Sequence, residues 1–416
     1  MQENLSNDEA LAQLFERTHD KWLNNTTGLR PLWRLVIVNG THALFVFHHL
    51  IADGTSGYAF HRSLLDALNE SDIESGLQEE SLKSVATIVR SSDKPLKPHP
   101  LDQIEQKLSW LWILTAIVIT SLLRFFSNRK YYFFADVQVT GQSAIGDEPI
   151  FVEQPTSTRI EILRIDQSIM KNCLVACREH KTSFTALLHT LIQVTLAADL
   201  YPEAKLGISS LSVSIRQYLR RDPGEDAFTD AVGVFMRAQF LESYRAAGSH
   251  SARKKEPTMQ TDKANMEDEF PIIADQVWHL AAAYKSGTTA HTSSKGWLLQ
   301  NFLSWNLFGS DDEEIIKAYN QGHHAQNSFV LSNKGVFRLK KHRKDSGWKI
   351  VDVALSGAAV RAKVCSMALG MYVATAEDGD CVVVASYEKD VLRDQVIRDL
   401  LKGIDRRLKA LLRGKL

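Results

Sequence analysis

Cysteine is scarce in this chain: Cys173, Cys177, Cys365 and Cys381 are the only four in 416 residues. They show no metal-type pairing, and so few over such a length give no disulfide framework. Cys173 and Cys177, one helical turn apart, read as small apolar helix residues. An excess of either charge is absent too, since 49 Lys and Arg balance 49 Asp and Glu. No nucleic acid or other polyanionic partner is implied. The opening Met1-Gln2-Glu3-Asn4-Leu5 lacks the basic-then-apolar pattern of a secretory signal, so a reducing, cytoplasmic setting is expected. Nor does the chain contain a phosphate-binding Gly-x-x-x-x-Gly-Lys-Ser/Thr loop, a dinucleotide fingerprint, a His-Glu-x-x-His pair or a Gly-x-Ser-x-Gly elbow. Nucleotide-triphosphatase, dehydrogenase, zinc-protease and elbow-type hydrolase chemistries are disfavoured accordingly, and no metal is expected.

What the chain does have is apolar content, at 44%, ample for two packed halves. It also has one concentrated stretch of chemistry. Leu35-Val36-Ile37-Val38 and Ala43-Leu44-Phe45-Val46-Phe47 flank Asn39-Gly40, the dipeptide that supplies the positive φ angles of a tight hairpin turn, so two paired strands are predicted here. The second strand runs into His48-His49, then Leu50-Ile51-Ala52-Asp53-Gly54, and Tyr58, Leu64, Leu65 and Leu68 follow at helical spacing. The two histidines therefore sit at a strand-to-helix switch. Neighbours at a strand end point to opposite faces, so one imidazole can face a cleft while the other packs or caps behind it. A neutral imidazole, with an ordinary pKa of about 6.5, suits removal of a proton from a hydroxyl or amine near neutral pH. The bland alternative, a histidine pair that merely caps a turn, is weakened by the Asp-Gly that follows at fixed spacing.

His48-His49-Leu50-Ile51-Ala52-Asp53-Gly54 matches the His-His-x-x-x-Asp-Gly signature of the CoA-dependent acyltransferase superfamily, which includes chloramphenicol acetyltransferase, plant BAHD enzymes, peptide-synthetase condensation domains and fungal alcohol acetyltransferases. The chain most resembles the last of these. Pro31-Leu32-Trp33-Arg34, Ser212-Val213-Ser214-Ile215-Arg216 and Ser332-Asn333-Lys334-Gly335 resemble further segments of that family, in its order. The resemblance implies an α/β, chloramphenicol-acetyltransferase-like fold with two mixed-sheet subdomains, 1–157 and 158–416, and an active site at their junction. The first half is expected to be shorter than in relatives, which carry an additional strand and helix before the motif. His49 would be the general base and Asp53 a structural partner of Arg216. His48 and Gly54 would complete the motif loop, and Ser332, Asn333 and Gly335 would belong to the far wall, on the acyl-donor side. The implied reaction moves an acetyl or other short acyl group from acetyl-CoA, a co-substrate, to the hydroxyl of an alcohol or secondary metabolite. Acylation of an amine, or a noncatalytic binding or membrane-peripheral relative, stand as alternatives. The plant-type Asp-Phe-Gly-Trp-Gly segment is absent.

Along the rest of the chain, helices are expected at 8–23, 168–180, 183–200, 272–285, 296–308 and 390–413. Strands are expected at 158–165, 206–215, 329–331, 348–353, 364–368, 371–376 and 381–387, the later ones forming a mainly antiparallel sheet. Polar or Pro- and Gly-rich stretches at 70–102, 139–158 and 248–269 read as an excursion, a linker and an insertion. His323-His324 lacks a following Asp-Gly and is read as noncatalytic. Residues 108–123 carry no charge and include Trp110 and Trp112, with Arg124, Arg129 and Lys130 beyond. A bilayer span needs about 20 apolar residues, and this run falls short. A buried helix, an interfacial helix and, with the least weight, a true span stand as the readings, the second implying peripheral contact through 108–126 at endoplasmic reticulum or lipid droplet. A monomer is expected.

Overall fold

The computed structural model describes residues 7–21, 31–49, 51–70, 111, 114, 118, 131–134, 157–249, 271–293, 327–339, 347–359 and 367–413. The expectations for 71–102, for Trp110 and Trp112, and for 135–156, 250–269, 296–308, His323-His324 and 364–366 lie outside these residues.

Six strands form one sheet: β3 (Thr158–Ile165), β4 (Leu206–Ser214), β5 (Val232–Phe240), β6 (Asn327–Phe337), β7 (Met367–Ala376) and β8 (Cys381–Glu388), in the order β3-β8-β7-β6-β4-β5. The sheet is mixed, because β6 runs parallel to both of its neighbours, β4 and β7, while the other pairs are antiparallel. Period-two alternation divides its faces. Met371, Val373, Val383 and Ala385 face a core shared with the helices α3 (Gln167–Glu179), α4 (Phe184–Thr195), α6 (Ala274–Thr292) and α7 (Asp394–Leu411), near the short α5 (Glu242–Ala247). Val382 and Val384 face the other way and meet Leu11, Ala12 and Phe15 of α1 (Asp8–Asp20). The N-terminal elements thus pack on one face of the sheet and the C-terminal helices on the other.

Local chemistry explains most boundaries. Ser183 caps α4 by accepting the Ala186 N–H at 3.3 Å. The long helix expected over 183–200 holds its α form only to Thr195, and Leu196–Leu200 widens into a π turn. That turn carries Asp199 to Arg407 of α7, a fully buried guanidinium that donates to both carboxylate oxygens at 2.6 and 3.0 Å. Deep in α4, His189 stacks on Tyr284 at 3.7 Å, and its Nε2 lies 2.7 Å from Ser209 Oγ. Burial pushes its pKa down to about 3, so it is a neutral packing residue. The strand expected at 348–353 is absent: residues 347–359 run irregularly. Ile350, Val353 and Leu355 are spent on the cluster of Tyr58, Phe337 and Ala374, so their spacing imitated a strand without a ladder to join.

Candidate active site

The hairpin comes first. β1 (Trp33–Val38) and β2 (His42–Phe47) pair in antiparallel register from Trp33–Phe47 to Val38–His42. Asn39 at φ 54 and Gly40 at φ 68 make the turn, both with the positive φ that this connection demands. Phe45 projects towards α2 (Gly54–Glu70), stacking on Phe60 at 4.0 Å, and meets Phe228 edge-on at 6.0 Å. His49 follows the parity of Phe45 and Phe47, which directs it to the same side. There its Nδ1 lies 3.2 Å from Asp230 Oδ2. His48 is also exposed. It does not pack behind the cleft as the strand-end argument anticipates, because β2 ends at Phe47 and only the His48 backbone continues the ladder, donating to Leu32 O at 2.8 Å.

Asp53 does three things with two oxygens. As the residue before α2 it accepts the Ser56 N–H at 2.8 Å, the cap that a helix N-terminus needs. The same Oδ1 receives Arg216 NH2 at 2.8 Å, and Oδ2 takes the Ala231 N–H at 3.2 Å. Both side chains are buried, at 1% and 7% exposure for Asp53 and Arg216. Arg216 sits in the single 3-10 turn after β4 and also donates to the carbonyls of Gly224, Ala227 and Thr229 at 2.9, 3.1 and 3.2 Å. Ser56 Oγ accepts the Thr229 N–H at 3.1 Å, and Arg62 of α2 binds Asp226 at 2.9 Å. Asp53, Ser56 and Arg62 tie the segment 224–231 to the motif directly, Arg216 ties it there through Asp53, and Asp230 rides on that segment.

The electrostatics follow from this placement. The hydrogen bond to Asp230 raises the His49 pKa above its ordinary value, against a lowering by desolvation; its own carbonyl and the more distant Asp53 add to the rise. The imidazole nonetheless remains 68% exposed, so a substrate can reach it. Asp230 is one-third exposed, with Oδ1 buried and lacking a hydrogen-bond partner.

The segment 332–335 approaches the motif from the six-stranded sheet, but Lys334 and Gly335 make the contacts. Lys334 Nζ bonds Thr55 Oγ1 and lies 5.7 Å from the centre of the Tyr58 ring, while its Cδ packs so near Gly54 that a Cβ there would sit 3.3 Å away. Burial lowers its pKa. Tyr58 donates to Gly335 O at 2.9 Å, and Gly335, at φ 76, carries the irregularity in the β6–β7 register between Asn333 and Val336. Asn333 turns to α4, donating to Thr185 Oγ1 at 2.9 Å, and accepts the Gly335 N–H at 2.8 Å. Ser332 is half-buried beside Tyr372 in the ladder. Arg220 and Arg221 are exposed. Sequence reasoning missed Asp230, Ser56 and Lys334. Lys334 could have been found as the variable position of Ser-Asn-x-Gly, whereas Phe228-Thr229-Asp230-Ala231 carries no pattern that singles Asp230 out. Among the described residues no three His, Cys, Asp or Glu gather as metal ligands would.

A sequence model of the alcohol acetyltransferase family matches residues 2–408. The chain is 23% identical over 408 residues to a protein of Aspergillus fumigatus named "Probable alcohol acetyltransferase crmB", covering 95% of this chain and 76% of that one. It is 25% identical over 363 residues to the Fusarium pseudograminearum protein named "Probable alcohol acetyltransferase FCK4", covering 86% of this chain and 64% of that one. Among solved structures, TRI3 trichothecene 15-O-acetyltransferase of Fusarium sporotrichioides superposes with a TM-score of 0.60 at 14% identity, covering 99% of this chain and 76% of that one. That likeness speaks for the fold. With the match of the family model over nearly its whole length, the chain belongs to the alcohol acetyltransferase family, a family of acyltransferase enzymes.

Proposed function

We propose that the protein transfers an acetyl or other short acyl group from acyl-CoA to the hydroxyl of a small alcohol or secondary metabolite, with His49 as general base. The observation that carries this reading is the state of His49. Its imidazole is open to solvent, anchored through Nδ1, and mounted on a loop that a buried ion pair fixes to the six-stranded half. Nε2 would take the acceptor proton as its oxygen attacks the thioester carbonyl. When the carbon–sulfur bond breaks, the departing thiolate takes that proton from Nε2, so the base is regenerated and no covalent enzyme intermediate is needed. Residues 1–157 and 158–416 are taken as the two halves that meet at this base, and domain junctions are a favoured setting for small-molecule sites. The test is release of free CoA from acetyl-CoA in the presence of a panel of alcohols and amines. Alcohol-dependent release with formation of the ester supports the reading. Release driven only by amines, or only by water, would contradict it.

Peripheral membrane contact is proposed alongside. Leu111, Leu114 and Val118 lie in helix at spacing of three and four, and all are exposed, at 58%, 49% and 46%. The interfacial arrangement requires such an apolar face towards the surface. No single helix among the described residues is long and apolar enough to cross a membrane. The variant Leu111→Ser/Leu114→Ser is expected to lower co-flotation with phospholipid vesicles while leaving the melting temperature unchanged. A variant that melts earlier and floats as before would assign these residues to packing.

A further inference from the structure

The acyl-transfer reading requires the Nε2 lone pair of His49 to face the acceptor, and besides the residue's own carbonyl the largest influence on the imidazole is a carboxylate. A neutral imidazole exchanges between two tautomers, and whichever nitrogen donates a hydrogen bond leaves the other as acceptor. Here one ring nitrogen has a carboxylate at 3.2 Å, on the Nδ1 side. We propose that Asp230 is the positioning residue for His49, taking the Nδ1–H, fixing the ring and holding the base at Nε2.

Two features argue that this contact is built rather than incidental. The first is the anchoring of the segment 224–231. Arg216 donates to three of its carbonyls, Ser56 Oγ accepts the Thr229 N–H, and Asp53 accepts the Ala231 N–H, the residue directly after Asp230. The acid of the His-His-x-x-x-Asp-Gly motif therefore holds the residue next to Asp230 and, through its loop, His49. The second is the carboxylate itself. Asp230 Oδ1 is buried with no hydrogen-bond partner, so Oδ2 and His49 supply its side-chain contact within hydrogen-bond distance. The other carboxylate that acts on His49, Asp53, is already matched by Arg216. Asp230 is left as the carboxylate in contact with the ring.

The consequence for pH is definite in sign. Asp230 stabilises the protonated ring, so the His49 pKa stands above 6.5, and the basic form that accepts the acceptor proton appears only as pH rises through that raised value. Asp230→Asn removes the carboxylate's charge, so the acid limb of kcat should move down towards about 6.5. At the alkaline plateau kcat should fall by up to about a hundredfold through lost orientation, with KM for acetyl-CoA unchanged. The ratio of wild-type to variant rate should therefore be larger at pH 8 than at pH 6. Asp230→Glu should recover part of the plateau.

The inference rests on the proposed acyl transfer, so the experiment includes a readout that needs no turnover. In protein labelled with 15N-histidine, with His49→Gln to assign the resonance, wild-type His49 should show the Nδ1–H tautomer and a raised pKa, and Asp230→Asn should lose both. A wild-type His49 that titrates at or below 6.5, or an Asp230→Asn variant whose His49 tautomer and pH–rate profile match wild type, overturns the inference. Should Asp230→Asn fail to fold, the wild-type titration decides alone. A wild-type protein that transfers no acyl group yet shows the raised pKa and Nδ1–H tautomer sinks the functional reading and leaves the Asp230 contact standing.

Discussion

His49→Ala is expected to reduce acyl transfer by about a hundred- to ten-thousandfold, the span typical for loss of a positioned base. The loss should appear in kcat, with the circular-dichroism spectrum and melting behaviour unchanged, because the side chain is 68% exposed and buries little. His48→Ala should retain most turnover. Its side chain is exposed, and alanine keeps the backbone bond to Leu32. Steady-state kinetics on both variants with acetyl-CoA and the best alcohol of the panel separate the roles. Equal losses in two well-folded variants would remove the basis for choosing His49.

Asp53→Asn should be the most destabilising single substitution around the site. Asparagine is as good a helix cap as aspartate, so the cap can survive while the charge and one of the two acceptor oxygens that serve Arg216 and Ala231 are lost. The Arg216 guanidinium would then sit buried with only carbonyls and Ser56 for company. Removing one partner of a buried ion pair typically costs about 3–5 kcal/mol. Urea unfolding of Asp53→Asn, Arg216→Met and the double variant should show strong coupling, with the double variant less destabilised than the sum of the singles. Additive costs below about 1 kcal/mol each, as for exposed pairs, would mean that the pair does not brace the junction. Since Asp53 also holds Ala231, the folded fraction of Asp53→Asn should show weakened catalysis through displacement of Asp230.

How much of this was legible in the sequence depends on the range of the interaction. The hairpin turn was legible because Asn39 and Gly40 carry their requirement in their own backbone angles. Strand parity suggested one histidine facing a cleft and one packed behind it, whereas both are exposed because β2 ends at Phe47. β3, predicted over 158–165, and the closing helix α7 came from periodicity that the core then used. The pairing of Asp53 with Arg216 was suggested by resemblance, not by any local pattern, and the two residues are 163 positions apart. Asp230 was not legible at all. It joins the site because Arg216, Ser56 and Asp53 fold a surface loop back onto the motif, and nothing in Thr229-Asp230-Ala231 announces that. The parallel placement of β6 between β4 and β7 is likewise a matter of topology, as the strands alone read as a mainly antiparallel sheet with no sign of which pair would run parallel. The false strand at 348–353 shows the reverse error, where spacing suited to a ladder served a side-chain cluster instead.

The central claim is that chemistry occurs at Nε2 of His49, on the seam between the hairpin and the six-stranded half. A crystal structure of the wild-type protein with CoA and the acetyl ester of its preferred alcohol tests this most directly. The account predicts the CoA sulfur and the ester oxygen gathered around Nε2, the oxygen within about 2.6–3.2 Å of it, with Asp230 still on Nδ1. CoA and ester bound together with their reacting atoms away from His49 would contradict it.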